Sequence, residues 1–451
     1  MVITLDSPLQ NSLRKLDDEH VNQLIAHYDR LIEPIYEKGQ FPKDFTLRPL
    51  DWSLTPDVVH RESDSSGVRP LSTFDVEFLD NEIVTLAKKG VVDLAKHYPC
   101  IHKCKGCFSQ EDIYGDVDNL MYWEDVMGQI DQACDIGLSS VKFLGPGELF
   151  QNRDLFDILD ALSERNMPIS IFTKGAEMGD DALAEYIYGD QHIHTAQDLV
   201  DRVAEYGNVR ILLGFNSLDP KRQDLAIGAS KENIEPRIKN GIYQRLGIFD
   251  YTNKRNQALV NLVQAGFNDP ERGQRLSLIA GPIRLYQIDE IASAYLWAAQ
   301  RNIPLVIAPT MESGPRAVAL SKNDQREDPE HKMLVDMMVS VYSTAIDSGI
   351  LTLDTITNEG ISGYMGTSPC NQVANGLFMR LNGQIQMCAG KSDRDAIYGN
   401  VHNTSLVDIW KNSPNYAMGA LENNWCVAKT SSMPIFIQDR ILTTLTRLYD
   451  S

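Results

Sequence analysis

Cys100, Cys104 and Cys107 stand in the run Pro99-Cys100-Ile101-His102-Lys103-Cys104-Lys105-Gly106-Cys107-Phe108, a C-x3-C-x2-C spacing. Thiolates packed this closely bind soft metals. Three of them on one loop can hold three irons of a 4Fe–4S cube. With no fourth cysteine near, the fourth iron is free to bind something else. A structural zinc is the competing reading, but zinc takes a closed set of four Cys or His ligands. His102 lies between Cys100 and Cys104, where it would strain a tetrahedral site. The spacing favours a cluster with one open iron.

Such thiols need a reducing compartment and a scaffold to hold them. The chain has 451 residues, 43% of them hydrophobic, enough for two or three domains with a substantial core. Its formal charge of −20 and pI near 4.9 oppose a nucleic-acid partner, which needs a basic patch, and disfavour an anionic membrane surface. The opening run Met1-Val2-Ile3-Thr4-Leu5-Asp6-Ser7 lacks the basic and long apolar regions of a signal peptide. No apolar run is long enough to span a bilayer. A cytoplasmic location is expected, with the seven cysteines serving as ligands, catalytic thiols or core residues rather than disulfides. Cys134, in the helical run Ile130-Asp131-Gln132-Ala133-Cys134, reads as packing.

The positioning elements follow from periodicity. An amphipathic helix is expected over 17–37 and an exposed loop around 57–68, but nothing in residues 1–89 carries a chemical motif. From about residue 90 the pattern becomes strand-then-helix. Strands are expected at 90–98, Ser140–Leu144, 169–172, 209–215, Leu276–Ala280 and 305–308. Helices are expected at 122–135, 155–166, 196–206, 256–265, 288–300 and 331–348. This alternation predicts parallel βαβ units, six of which fit a partial (β/α)6 TIM-like barrel. Chemistry gathers at the C-terminal ends of such strands, and the cysteine loop follows the first of them. The alternation stops near Thr352. The expected α/β organisation is thus an N-terminal extension (1–89), a barrel (90–350) and a small C-terminal domain (351–451).

The cysteine loop resembles that of the radical S-adenosylmethionine (radical SAM) superfamily, and the likeness extends through short motifs over about residues 90–320. In that family the open iron chelates the cofactor's amino and carboxylate groups. An electron from the cluster then yields a 5′-deoxyadenosyl radical that abstracts a hydrogen atom. Gly145-Pro146-Gly147-Glu148 stands where the family has Gly-Gly-Glu, which implies that Gly145, Gly147 and Glu148 hold the amino group. Pro146 departs from the pattern. Glycines permit close backbone approach and a carboxylate can pair with an ammonium. By the same resemblance Thr173, Lys174, Asn216 and Ser217 suit the ribose or the cofactor carboxylate. Ala280, Gly281 and Ile283 would form the adenine shelf, and Thr310 and Phe108 would touch the adenine. Each of these is equally an ordinary strand cap, turn or core contact.

The tail carries Cys370, then Cys388 in Gly383-Gln384-Ile385-Gln386-Met387-Cys388, then Gly399-Asn400-Val401, Leu406-Val407-Asp408-Ile409-Trp410 and Cys426. This resembles the SPASM/twitch extension, which implies an auxiliary Fe–S cluster, of the 4Fe–4S type, on Cys370, Cys388 and Cys426. Twitch sequences often end in Cys-x2-Cys, but Lys429 stands at the last position here. Either another side chain completes the site or its fourth iron is open to substrate. Three unrelated core thiols remain the plain alternative.

Together these readings imply a radical SAM enzyme that cleaves S-adenosylmethionine and takes hydrogen from a small molecule such as a sugar, cyclitol, nucleoside or amino acid. The auxiliary cluster would anchor or oxidise that substrate, and a flavodoxin or ferredoxin would supply the electron. A peptide substrate, crosslinked or thioether-bridged, is the alternative. An Fe–S electron carrier or scaffold is the alternative of another class. No general base is identified; Glu312, Arg316 and Tyr364 are positional candidates only.

Overall fold

The expected alternation is present. The structure, a computed structural model, describes residues 16–37, 73–77, 121–144, 148–227, 250–283, 285–308, 329–361, 364–366, 376–390, 397–418 and 435–450. Helix α1 (Asp18–Glu37) comes first, then β1 (Thr73–Glu77), α2 (Trp123–Cys134), β2 (Ser140–Leu144), α3 (Leu155–Ser163) and β3 (Ile169–Thr173). Next come α4 (Asp181–Tyr188), α5 (Ala196–Ala204), β4 (Val209–Gly214), α6 (Pro220–Ile227), α7 (Tyr251–Gln264), β5 (Leu276–Ala280), α8 (Ile291–Ala299) and β6 (Leu305–Ile307). After them lie α9 (Pro329–Asp347), α10 (Leu353–Glu359), β7 (Gly376–Met379), β8 (Gln384–Gln386), β9 (Ile397–Asn400), α11 (Leu406–Asn412) and, near the end, α12 (Ile435–Tyr449). Local signals set several starts. Thr195 and Asp198 form a reciprocal capping box at α5, and Asp180, Thr352 and Ser405 cap α4, α10 and α11 with their side-chain oxygens.

The strands form one sheet in the order β6-β5-β4-β3-β2-β1-β7-β8-β9. Every pairing from β6 across to β7 is parallel, while β8 and β9 run antiparallel. Strands β1 to β6 sit side by side in chain order. With right-handed crossovers, that order stacks the helices against one face.

Register confirms two unlike faces. Val141, Ile169, Val209, Phe143, Ile171, Ile211, Leu276, Leu278 and Leu305 align across the strands and all belong to the core shared with the helices. Burying each such side chain contributes about 1.5–3 kcal/mol. The alternate positions are Ser140, Lys142, Ser170, Arg210, Leu212 and Ser277. Leu212, Val306 and Phe378 on this second face are buried yet stand apart from the helix core. Period two thus separates an oily face from a polar one.

The first strand differs from expectation. The strand beside β2 is Thr73–Glu77, within the segment expected as an extension, while the anticipated strand at 90–98 lies outside the described residues. Helix α1 matches its expected span to within a residue and packs on α7 and α8. The C-terminal strands β7 to β9 continue the same sheet beyond β1, so the sheet crosses the anticipated divisions at residues 89 and 350. Among the described residues no helix is long and apolar enough to cross a membrane.

Candidate functional site

On the polar face the C-terminal ends of three strands open. Leu144, Phe172 and Ile279 are the partly exposed residues of β2, β3 and β5, whose other residues are all buried. Lys174, just past β3, shares this face by alternation. A Cβ on Gly214 of β4 would lie 2.9 Å from Lys174 Cδ and 3.1 Å from its Nζ, so the missing side chain at Gly214 makes room for the lysine. The backbone of Lys174 is pinned on both sides: its N–H donates to Glu148 Oε2 at 2.8 Å and its C=O accepts from Tyr251 OH at 3.0 Å. The result is an apolar, glycine-relieved rim beside a lysine whose backbone is held.

Glu148 closes the β2 end. It caps the short 3-10 turn Leu149–Gln151, accepting from Phe150 N–H at 3.4 Å. Beneath it Glu177 is fully buried and accepts from Gln151 Nε2 at 2.6 Å, while its Oε2 has no partner among the described residues. Burial, then the Glu177 charge, pushes the Glu148 carboxyl up to about 8, against the pull of hydrogen bonds from Lys174 N–H, Thr173 OH and Phe150 N–H. Burial likewise raises Glu177. Lys254 bears on Glu177 electrostatically but is bound to Asp180 at 2.5 Å. Two buried carboxyls that share no cation of their own among the described residues cannot both ionise cheaply.

The end of β4 is arranged differently. Asn216 Nδ2 donates to Gly281 O at 3.1 Å, tying the β4 end to the β5 end, and Gln287 Nε2 donates to Asn216 O. Ser217 Oγ donates to Glu290 at 2.5 Å and accepts from Asp219 N–H at 3.0 Å. Arg222 completes the set with Asp289 at 2.6 Å and Glu290 at 3.3 Å. Burial outweighs these partners and raises Glu290 to about 6.

Of the residues singled out in the sequence, Glu148, Thr173 and Lys174 come together, as do Asn216, Ser217 and Gly281. The Thr173 and Ser217 hydroxyls are engaged within the protein, so these two residues shape the site rather than offer free groups. Ala280 and Ile283 belong to the hydrophobic core, and the Ala280 carbonyl and the Ile283 N–H are both engaged by the Ala308 backbone. Tyr364 is described and half-buried. Cys134 is half-buried and packs against the core as expected. Cys100, Cys104, Cys107, Phe108, Gly145, Gly147, Thr310, Cys370, Cys426, Lys429, Glu312 and Arg316 lie outside the described residues. Sequence reasoning missed Gln151, Glu177, Gln223, Arg255 and Glu290, because only the tertiary fold brings them to strand ends.

The remaining ligand candidate, Cys388, is a buried cysteine just past β8. Two residues earlier Gln386 is fully buried, and among the described residues neither polar atom of its amide has a partner. β8 runs antiparallel to β7 with Phe378 opposite Gln386, and β7 is parallel to β1. The chain therefore descends from the C-terminal rim, and Cys388 comes near the opposite edge of the sheet. The donor chemistry fits both expected groups: among the described residues Glu148 has no cation bound to it, and a buried thiol follows closely on an amide that is likewise not satisfied there.

No family model and no curated protein sequence matches the chain. Among solved structures it is similar to Streptococcus suis SuiB bound to precursor peptide SuiA, at 17% identity over 78% of this chain and 67% of that one, with a TM-score of 0.43. It is also similar to histidine-tagged anSMEcpe with bound AdoMet, at 11% identity over 82% and 88% of the two chains, with a TM-score of 0.47. Native anSMEcpe with bound AdoMet and Cp18Cys peptide aligns at 10% identity over 82% and 88%, with a TM-score of 0.43.

Proposed function

We propose that the chain is a radical SAM enzyme built on a partial (β/α)6 barrel, with its cofactor at the C-terminal rim of β1 to β6. The observation that carries this reading is positional. The C-x3-C-x2-C segment lies in the connection between β1 and α2, and Glu148, Lys174 and Asn216 follow the C-terminal ends of the next three strands. A cluster on Cys100, Cys104 and Cys107 with S-adenosylmethionine would supply one-electron reduction and hydrogen-atom abstraction.

The chain's own residues bind, orient and exclude. Glu148 gives up its proton and pairs with an ammonium. Lys174 offers a positive charge to a carboxylate. Gly281 permits close approach of a flat ring, and Leu144, Phe172 and Ile279 exclude water from the rim. Cys370, Cys388 and Cys426 would hold an auxiliary cluster, with Gln386 Nε2 available to donate to a sulfur. The substrate class we favour is a small molecule such as a sugar, cyclitol, nucleoside or amino acid, with a flavodoxin or ferredoxin as reductant.

Anaerobic reconstitution tests the reading. Wild type should hold about eight irons per chain and a Cys370/Cys388/Cys426→Ala triple variant about four. Wild type with S-adenosylmethionine and dithionite should form 5′-deoxyadenosine. Intact clusters with no cleavage would leave an electron carrier or scaffold. About four irons in both proteins would remove the auxiliary cluster.

A further inference from the structure

The side chain of Arg255, in α7, is wholly buried, and among the described residues no carboxylate is one of its hydrogen-bond acceptors. Its Nε donates to Asn256 Oδ1 at 2.9 Å, Nη1 to Gln223 Oε1 at 3.1 Å, and Nη2 to Tyr28 OH at 2.7 Å and to Ser217 O at 3.4 Å. The guanidinium lies 3.9 Å from the centroid of the Phe215 ring. Taking a guanidinium out of water costs several kcal/mol, which is tolerated only when its donors are satisfied. Every one of these acceptors therefore matters.

Two of them reach in opposite directions. Gln223 Oε1 also accepts from the backbone N–H groups of Asn216 at 2.8 Å and Ser217 at 3.0 Å. It thereby fixes the loop that leaves β4. Tyr28 comes from α1, the N-terminal helix, and its hydroxyl also reaches Asn256 Oδ1 at 3.2 Å and Leu218 O at 3.3 Å. Its ring packs edge-on against Trp297 of α8. Helix α1 is tied down independently of this network, by Asp29 to Trp297 Nε1 at 3.0 Å and to Arg301.

We propose that Tyr28 and Arg255 are positioning residues for the Asn216–Ser217 loop, so that the N-terminal helix is a working part of the cofactor site. The relay runs from Tyr28 OH through the Arg255 guanidinium and the Gln223 carbonyl to the two loop N–H groups. This rests on the reading of that rim as the S-adenosylmethionine site. A loop whose carbonyls and amides are held before binding loses less freedom on binding, so loosening it weakens affinity without altering the ligand's own contacts.

The test uses the full-length, cluster-loaded protein and the equilibrium dissociation constant of S-adenosylmethionine. Tyr28→Phe removes the hydroxyl and strands one buried guanidinium N–H; Arg255→Lys keeps the charge but not the fork. Val21→Ala, which trims a buried residue of α1, is the control for helix docking alone. Tyr28→Phe is expected to raise the dissociation constant about tenfold. Val21→Ala should lower the unfolding midpoint comparably and leave the constant within about twofold. An unchanged constant in both Tyr28→Phe and Arg255→Lys, with wild type binding, overturns the relay alone. Equal weakening by Val21→Ala overturns it in favour of simple docking. A fully loaded wild type that does not bind S-adenosylmethionine overturns the cofactor reading and the relay with it.

Discussion

Two groups of buried charge close neighbouring strand ends, and they are built on opposite terms. At the ends of β2 and β3, Glu148 and Glu177 are both buried and each is raised above the usual carboxylate range, Glu148 by burial and then by the Glu177 charge, Glu177 by burial. At the end of β4, Glu290 has Arg222, the Ser217 hydroxyl and the Leu218 N–H at 2.9 Å. The second group is complete without help from outside. The first has no cation hydrogen-bonded to it among the described residues, and on the function proposed above a ligand ammonium is what it would take. Buried ions that already satisfy one another hold a fold in register, whereas an unsatisfied pair marks where a ligand is expected.

The largest effect that could break this contrast is at Glu290. Glu290→Ala removes one of the two carboxylates that Arg222 pairs with and takes away the acceptor of the Ser217 hydroxyl and the Leu218 N–H. Denaturant unfolding at pH 7 should show a loss of about 3–5 kcal/mol. A loss below about 1 kcal/mol would mean the two groups are equally loose and the contrast is empty.

Much of the frame was legible in the sequence and much of the contrast was not. β2 and β5 fall on their expected residues, because short apolar runs between helical stretches have few other uses. β1 was missed for a physical reason. Thr73-Phe74-Asp75-Val76-Glu77 alternates, but three of its five residues are polar, so as sequence it resembles a loop. The apolar run at 90–98 was the more attractive strand. Glu148, Lys174 and Asn216 could be named because strand ends are visible locally. Tyr28 and Arg255 could not, since 227 residues separate them in the chain. Glu177 was invisible for a related reason, being defined only by the carboxyl it faces.

Intermediate effects concern the acid pair. Glu177→Gln removes the opposing charge while keeping a polar group beside Gln151, and should stabilise the protein at pH 8 by about 1–2 kcal/mol. The pH dependence follows the same sign. Glu148 is raised to about 8 and Glu290 to about 6, so between about pH 4.5 and 8 the folded chain holds protons that the unfolded chain has lost. Their contribution is full below the unfolded value and fades as pH rises through the folded one. Wild-type stability measured across this window should fall as pH rises. Glu177→Gln should make that fall shallower, and the part contributed by Glu290 should remain. A stability that rises over the same window would contradict the raised carboxyls.

The smallest expected effect sharpens the contrast at the rim between the two groups. Gly214→Ala places a methyl 2.9 Å from Lys174 Cδ. The atoms that must give way are the far end of a flexible side chain, so unfolding should change by less than about 1 kcal/mol. The lysine ammonium, however, would be pushed off β4. If it holds the carboxylate of the same ligand whose ammonium Glu148 takes, affinity for S-adenosylmethionine should drop about three- to tenfold while the cluster content stays constant. Lys174→Met should lower it at least as far, and in the double variant Gly214→Ala should add nothing further, because the group it displaces is gone. Additive losses would instead place Gly214 against the ligand directly and leave Lys174 with a separate role. That outcome would assign the missing positive charge at Glu148 to a ligand that carries no anion at Lys174.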